Sequence, residues 1–108
     1  MRLQIRSSPF SLTPALEARV QRRLQFALNR FHPAIGRVAV RLRDLNGPRG
    51  GLDKQCFIEA RLLRRRKFVV QETGADLYVA IDRAADRLGR LIARRHVPAW
   101  ARSQGEGK

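Results

Sequence analysis

Arg83, Arg87, Arg90 and Arg94 recur at intervals of four and three residues. On a helical wheel of about 100° per residue they fall within an arc of roughly 60°. Leu77, Ile81, Ala84, Leu88, Leu91 and Ile92 occupy the other side. A guanidinium has five donors and no acceptor, and it keeps its charge at any ordinary pH. A row of them therefore recognises anions and does not shuttle protons. Its planar fork also grips phosphate bidentately and stacks on bases, which favours nucleic acid over a general anion. Neighbours in the row face like charges, and each such pair costs an isolated helix about 0.2–0.5 kcal/mol. Asp86, spaced to reach Arg83 and Arg90, relieves part of that repulsion. The bland alternative is a solvated charged face.

A second set repeats the design. Arg19, Arg22, Arg23 and Arg30 lie opposite an apolar stripe of Leu16, Val20, Leu24, Ala27, Leu28 and Phe31. Phe26 points among these arginines, where it either stacks a base or is an incidental surface ring. Arg64, Arg65, Arg66 and Lys67 form another basic cluster at a hairpin tip, with a solvated turn as its plain reading. Arg2, Arg6, Arg37, Arg41, Arg43 and Arg61 fall on the outer face of the expected sheet. That face competes with the helices as a binding surface, diluted by Glu59 and several apolar residues. The glycines at 46–51 can present backbone N–H groups to a phosphate, or simply make a long hairpin connection.

Candidates for catalysis are poor. His32 and His96 stand at helix ends, where histidine often meets terminal carbonyls. Cys56 sits on the strand face expected to be buried, as an inert core thiol. No Cys/His spacing suits zinc, and no phosphate-binding loop of nucleotide hydrolases is present. Asp82 and Asp86 amid arginines are most simply salt-bridge partners. The chain is not expected to be an enzyme, and no metal or cofactor is expected.

The 108 residues suffice for one domain and one core, and 44% are hydrophobic. Lys and Arg number 23 against 9 Asp and Glu, a formal charge of +14. Such an excess implies a polyanionic partner. No apolar run approaches the roughly 18 residues that span a bilayer. The first ten residues lack the apolar core of a signal peptide, and a lone cysteine forms no internal disulfide. A cytoplasmic chain without membrane contact is the expectation, because both helical apolar faces are needed for the core.

The elements that must position these residues follow from periodicity. Residues 2–6 alternate as a short strand with Leu3 and Ile5 on one face. Thr13-Pro14 starts a helix, with Glu17 in its first turn, that runs to about Phe31 and stops at His32-Pro33. Strands follow from residue 35, around 55–63 and over 67–72, the last two joined through Arg64–Arg66. Thr73-Gly-Ala-Asp76 has capping-box spacing and opens the last helix, over residues 76–95; Pro98 ends it. The order β-α-β-β-β-α implies an α+β fold with a four-stranded mixed sheet. The first two strands are parallel through a right-handed crossover, and two hairpins follow. Two parallel helices then pack on one face, and both arginine stripes point to solvent on the same side. Residues 1–97 are expected to form a single ribosome-binding-type domain, a label taken from the resemblance below, and 98–108 a flexible tail.

In this order the chain resembles the short form of the ribosome hibernation-promoting factors, also called the ribosome-associated inhibitor, S30EA or sigma-54 modulation family. Asp76-Leu-Tyr78-Val-Ala80-Ile81-Asp82, followed by Arg87-Leu88 and Leu91, is similar to the family's D-x-Y-x-A-I-D…K-L pattern. Arg87 stands where lysine is usual. Thr13-Pro14-Ala15-Leu16, Val38-Ala-Val40 and Gly74 agree as well. The resemblance implies a non-catalytic protein, monomeric when free, that binds the 30S subunit or 70S ribosome in the decoding channel. There its helical arginines would contact 16S rRNA phosphates, block translation and preserve idle ribosomes. The loop at 46–54 is longer and richer in glycine than in the commonest short members. The chain ends where long members carry a dimerising domain, so ribosome pairing by its own tail is not expected. The alternatives are a general structured-RNA-binding module and a protein-interaction regulator of transcription.

Overall fold

Alternation of apolar and polar residues puts every second side chain of a strand on one face, and here four such strands share an apolar face. The computed structural model describes residues 1–45 and 53–95. Its elements are β1 (Arg2–Ser8), α1 (Pro14–Leu28), β2 (Ile35–Asp44), β3 (Lys54–Leu62), β4 (Lys67–Gly74) and α2 (Leu77–Arg95). The sheet order is β1-β2-β3-β4, with β1 parallel to β2 and the other two pairs antiparallel. The expected α+β architecture is thus the observed one.

Register lines up the inward residues in rows. Leu3, Val38, Ala60 and Phe68 form one, and Ile5, Val40, Ile58 and Val70 the next. The central-strand members are buried, whereas Leu3 and Ile5 on the edge strand are half-buried. Against them pack Val20, Leu24 and Leu28 of α1 and Ile81, Leu88 and Ile92 of α2, each at most 1% exposed. Gly89 lets the helices approach closely. A Cβ there would lie 3.0 Å from the carbonyl oxygen of Ala27.

Thr13 caps α1 as its sequence implies, its hydroxyl accepting from the Leu16 N–H at 3.2 Å. Two boundaries differ from expectation. The α-helix ends at Leu28, and residues Asn29–Ala34 continue as a 3₁₀ segment containing Pro33. Proline offers no N–H and disfavours αR geometry at His32, so the α ladder yields before it. The tighter winding still buries Phe31. At α2, Thr73 makes no cap. It belongs to β4, paired with Gln55, and Asp76 caps instead by accepting the Tyr78 N–H at 2.8 Å. The ladder continues to Gly74 opposite Lys54, and strand pairing wins over the capping box.

The β3–β4 connection is closed by a Leu62 N–H donated to the Arg66 carbonyl at 2.8 Å, with Arg65 at φ 63°. The loop at 46–51, the Pro98 stop, His96 and the tail lie outside the described residues, as does the Arg64 side chain. Among the described residues no helix is long and apolar enough to cross a membrane.

Cys56 is fully buried on the inner sheet face. Burial, helped by the Glu72 carboxylate, pushes its thiol from 9.0 up to about 12. The native thiol is therefore expected to resist iodoacetamide at pH 8 and to react once denatured. The unfolded thiol loses its proton near 9.0 while the native one keeps it, so stability falls as pH rises from 9.0 towards 12. Chemical denaturation across that window should show a shallower decline for Cys56→Ala.

Candidate nucleic-acid interface

Parallel packing of α1 and α2 decides which arginines are available. Asp82 takes Arg19 bidentately, Nε to Oδ1 at 3.0 Å and Nη2 to Oδ2 at 3.2 Å. Arg23 Nε lies 3.3 Å from the same Asp82 Oδ1, out of hydrogen-bond alignment, and its Nη2 donates to Asp86 at 3.1 Å. Partner numbers rise together along both helices, 19 with 82 and 23 with 86, as parallel helices require. Asp86 thus reaches across to Arg23 instead of along its own helix to Arg83 and Arg90. Aspartates and arginines form an ion-paired seam, and their reading as salt-bridge partners holds.

The seam side chains of Arg19, Asp82 and Arg23 are about one-third exposed (33%, 31% and 30%). Solvent screening limits such pairs to roughly 0–1 kcal/mol. Asp82→Asn is expected to lower unfolding free energy by less than about 1 kcal/mol in urea titration. Its fold should remain intact.

Arg22, Arg83, Arg90 and Arg94 are exposed and have no carboxylate partner among the described residues. Arg30 is exposed too, its guanidinium 4.9 Å from the Phe31 ring centroid. Arg87 is drawn aside to β4, donating to Glu72 Oε2 at 2.9 Å and to the Gln71 carbonyl at 3.3 Å. The eight arginines of the two expected stripes therefore divide into five without a carboxylate partner among the described residues, two at the seam and one tied to the sheet.

Phe26 is 78% exposed, with the Arg23 guanidinium 5.8 Å from its centroid. It borders a shallow groove between the helices, floored by Ala27 and Gly89 and edged by Arg30, Asp86 and Arg90. The close helix approach at Gly89 makes this groove shallow. Tyr78, at the start of α2, similarly lies 5.4 Å from the Arg19 guanidinium.

The described members of the basic cluster after β3 differ in setting. Arg66 donates to the Arg95 carbonyl at 3.0 Å, at the end of α2, and lies 5.3 Å from the Phe68 ring. A cation there satisfies the helix terminus. Arg65 is exposed at the tip, and Lys67 is exposed at the start of β4.

One charged group was not legible as buried. Asp53 is 1% exposed, and its Oδ1 accepts from Lys54 Nζ at 2.9 Å. The same ammonium reaches Asp44 at 3.3 Å, and chiefly the Asp53 bond holds its pKa above 10.5. The Leu45 N–H also donates to the Asp53 carbonyl at 2.9 Å, so these residues brace the base of the β2–β3 connection. Among the described residues no group of three or more His, Cys, Asp or Glu is arranged to hold a metal.

The family model described as sigma 54 modulation protein / S30EA ribosomal protein matches residues 3–97. The chain belongs to this family. It is similar to the N-terminal domain of Protein Y from Thermus thermophilus, with TM-score 0.74 and 28% identity over 89% of this chain and 100% of that one. A ribosomal subunit interface protein from Coxiella burnetii superimposes with TM-score 0.75 at 16% identity, covering 91% of this chain and 100% of that one. The second likeness is one of fold. No curated protein sequence matches the chain. Family membership agrees with the Asp76–Asp82 and Thr13–Leu16 signatures, both of which occupy helix starts in the structure.

Proposed function

We propose that this member of the S30EA family is a non-catalytic, ribosome-associated factor that binds 16S rRNA in the small-subunit decoding channel. It inhibits translation there and preserves idle ribosomes. Residues 1–97 act as one ribosome-binding domain, in the cytoplasm, and the protein is monomeric when free. The observation that carries this reading is the common outward face of α1 and α2. Arg22, Arg30, Arg83, Arg90 and Arg94 stand in solvent with no acidic partner among the described residues, in a chain of net charge +14. Phosphates would neutralise what the protein leaves uncompensated. Phe26, bordering the groove edged by Arg30 and Arg90, and Tyr78, beside the seam arginine Arg19, offer aromatic faces suited to unstacked bases.

Arg19 and Arg23, tied at the seam, hold the two helices in register and add field more than contacts. Arg87 keeps its side chain 58% exposed while paired, so it can exchange Glu72 for a phosphate. Arg65 and Lys67 supply further contacts at the hairpin.

Sedimentation of a stationary-phase lysate tests the reading. The protein should travel with 30S and 70S particles and leave them as salt rises. Absence from both fractions, or co-purification with a sigma factor instead, would replace the ribosomal reading with the transcriptional one named in the family's description.

A further inference from the structure

Among the described residues nothing packs over the sheet face turned away from the helices, and register gathers its charge. Arg2 pairs with Arg37, Arg37 with Arg61 and Arg61 with Lys67, making one cationic row across all four strands. Strands lie about 4.8 Å apart, so the row spans roughly 14 Å. Four residues further along, about 13 Å away, Arg6, Arg41, Phe57 and Gln71 make a second row. Like charges directly opposite destabilise a sheet. Glu59, between the rows, pairs with Arg61 Nε at 2.9 Å and offsets one charge of the first row, while Arg2, Arg37, Lys67, Arg6 and Arg41 have no carboxylate partner among the described residues. Phe57 sits on a central strand, half-buried, with the Arg41 guanidinium 5.5 Å from its centroid. Gln4 and Ala39 complete a shallow depression beside that ring, about 170 Å³ in volume.

We propose that this open sheet face is a second RNA-binding surface, and that its occupant is an unpaired, single-stranded segment. The first row, and Arg6 and Arg41 at the wall of the depression, take phosphates. A base stacks on Phe57 or on the Arg41 guanidinium plane, both recognised modes for splayed-out bases. A duplex offers the ring no free base face, which selects single strands. The protein then holds RNA on both sides: a phosphate track on the helices and a single strand on the sheet. The inference does not depend on the ribosomal reading, because it requires only that this face bind unpaired RNA.

The test uses the full chain and a fluorescein-labelled 12-nucleotide oligouridylate, followed by anisotropy at several salt concentrations. Arg37→Gln, Arg61→Gln and Lys67→Gln together should reduce the log–log salt slope by about 2, at roughly 0.7 per lost contact on a single strand. Phe57→Leu should weaken binding about fivefold or more with the slope unchanged. The unsubstituted chain, ¹⁵N-labelled, gives a readout that no folding defect can mimic. The oligonucleotide should shift the amides of Ala39, Arg41, Phe57 and Glu59. Shifts confined to α1 and α2, or displacement by polyglutamate as effective as by unlabelled oligouridylate, would overturn the proposal. Persistence of these sheet shifts in a protein that fails to sediment with ribosomes would leave the inference standing while removing the ribosomal reading.

Discussion

Replacing Arg83, Arg90 and Arg94 together by glutamine is expected to flatten the salt dependence of binding to small ribosomal subunits by roughly 2–2.7 log units per decade. Each phosphate contact contributes about 0.7–0.9 to that slope, through release of condensed counterions. The electrostatic advantage vanishes near 1 M salt, so the same loss at about 0.1 M amounts to roughly two decades of affinity. These three are chosen because they are exposed and have no acidic partner among the described residues. Arg87→Gln is the informative contrast. Its guanidinium already pairs with Glu72 and the Gln71 carbonyl, so removing it frees a carboxylate as well as losing a contact. Filter binding or sedimentation across a salt series reads both variants. An unchanged slope for the triple variant would take the phosphate contacts off α2.

Much of this fold was legible because its signals are local. The period-two alternation of Val38, Val40 and Leu42 and the Thr13-Pro14 cap required no knowledge of the rest of the chain. Topology followed from connection lengths, since a helix between β1 and β2 demands a parallel pair while short connections make hairpins. Of the two boundary differences, the end of α1 is local, set by Pro33, and only at the start of α2 did a distant partner decide. Thr73 had capping-box spacing, yet Gln55 across the ladder claimed its backbone.

The arginine stripes show the same division between local and tertiary information. A single-helix wheel places Arg19 and Arg23 among the outward charges, because it cannot see the neighbouring helix. Parallel packing brings Asp82 and Asp86 against them with a constant offset of 63 residues. Once parallel helices were inferred, that offset was the one signal able to separate seam arginines from free ones. Arg66 and Asp53 are harder. The first is claimed by the end of α2, and the second is buried beside a glycine-rich connection, where composition implies exposure. The outer sheet face differs again. Its arginines were readable one strand at a time, but their alignment into the row from Arg2 to Lys67 depends on register, which alternation alone leaves open.

Leu88→Ala is expected to be the most destabilising of the substitutions considered, costing about 3 kcal/mol within the 2–5 kcal/mol usual for buried leucines. Leu88 is 0% exposed in the layer between α2 and the sheet, among core residues that are themselves fully buried. For a domain of this size the loss corresponds to a fall in Tm of roughly 10–20 °C. Phe26→Ala provides the surface counterpart. With 78% of the ring already in solvent, it should change stability by at most about 0.5 kcal/mol. The two substitutions should then exchange rank when RNA binding is measured below both melting transitions. Leu88 lies on the face of α2 opposite Arg83, Arg90 and Arg94, so its loss leaves the guanidinium row on a folded helix and the salt slope unchanged. Phe26 borders the groove edged by Arg30 and Arg90, so its removal weakens binding without weakening the fold. A Leu88→Ala protein with native Tm would mean that α2 does not pack as described. A folded Leu88→Ala protein with a flattened slope would mean that the apolar and arginine faces of α2 are not energetically separable.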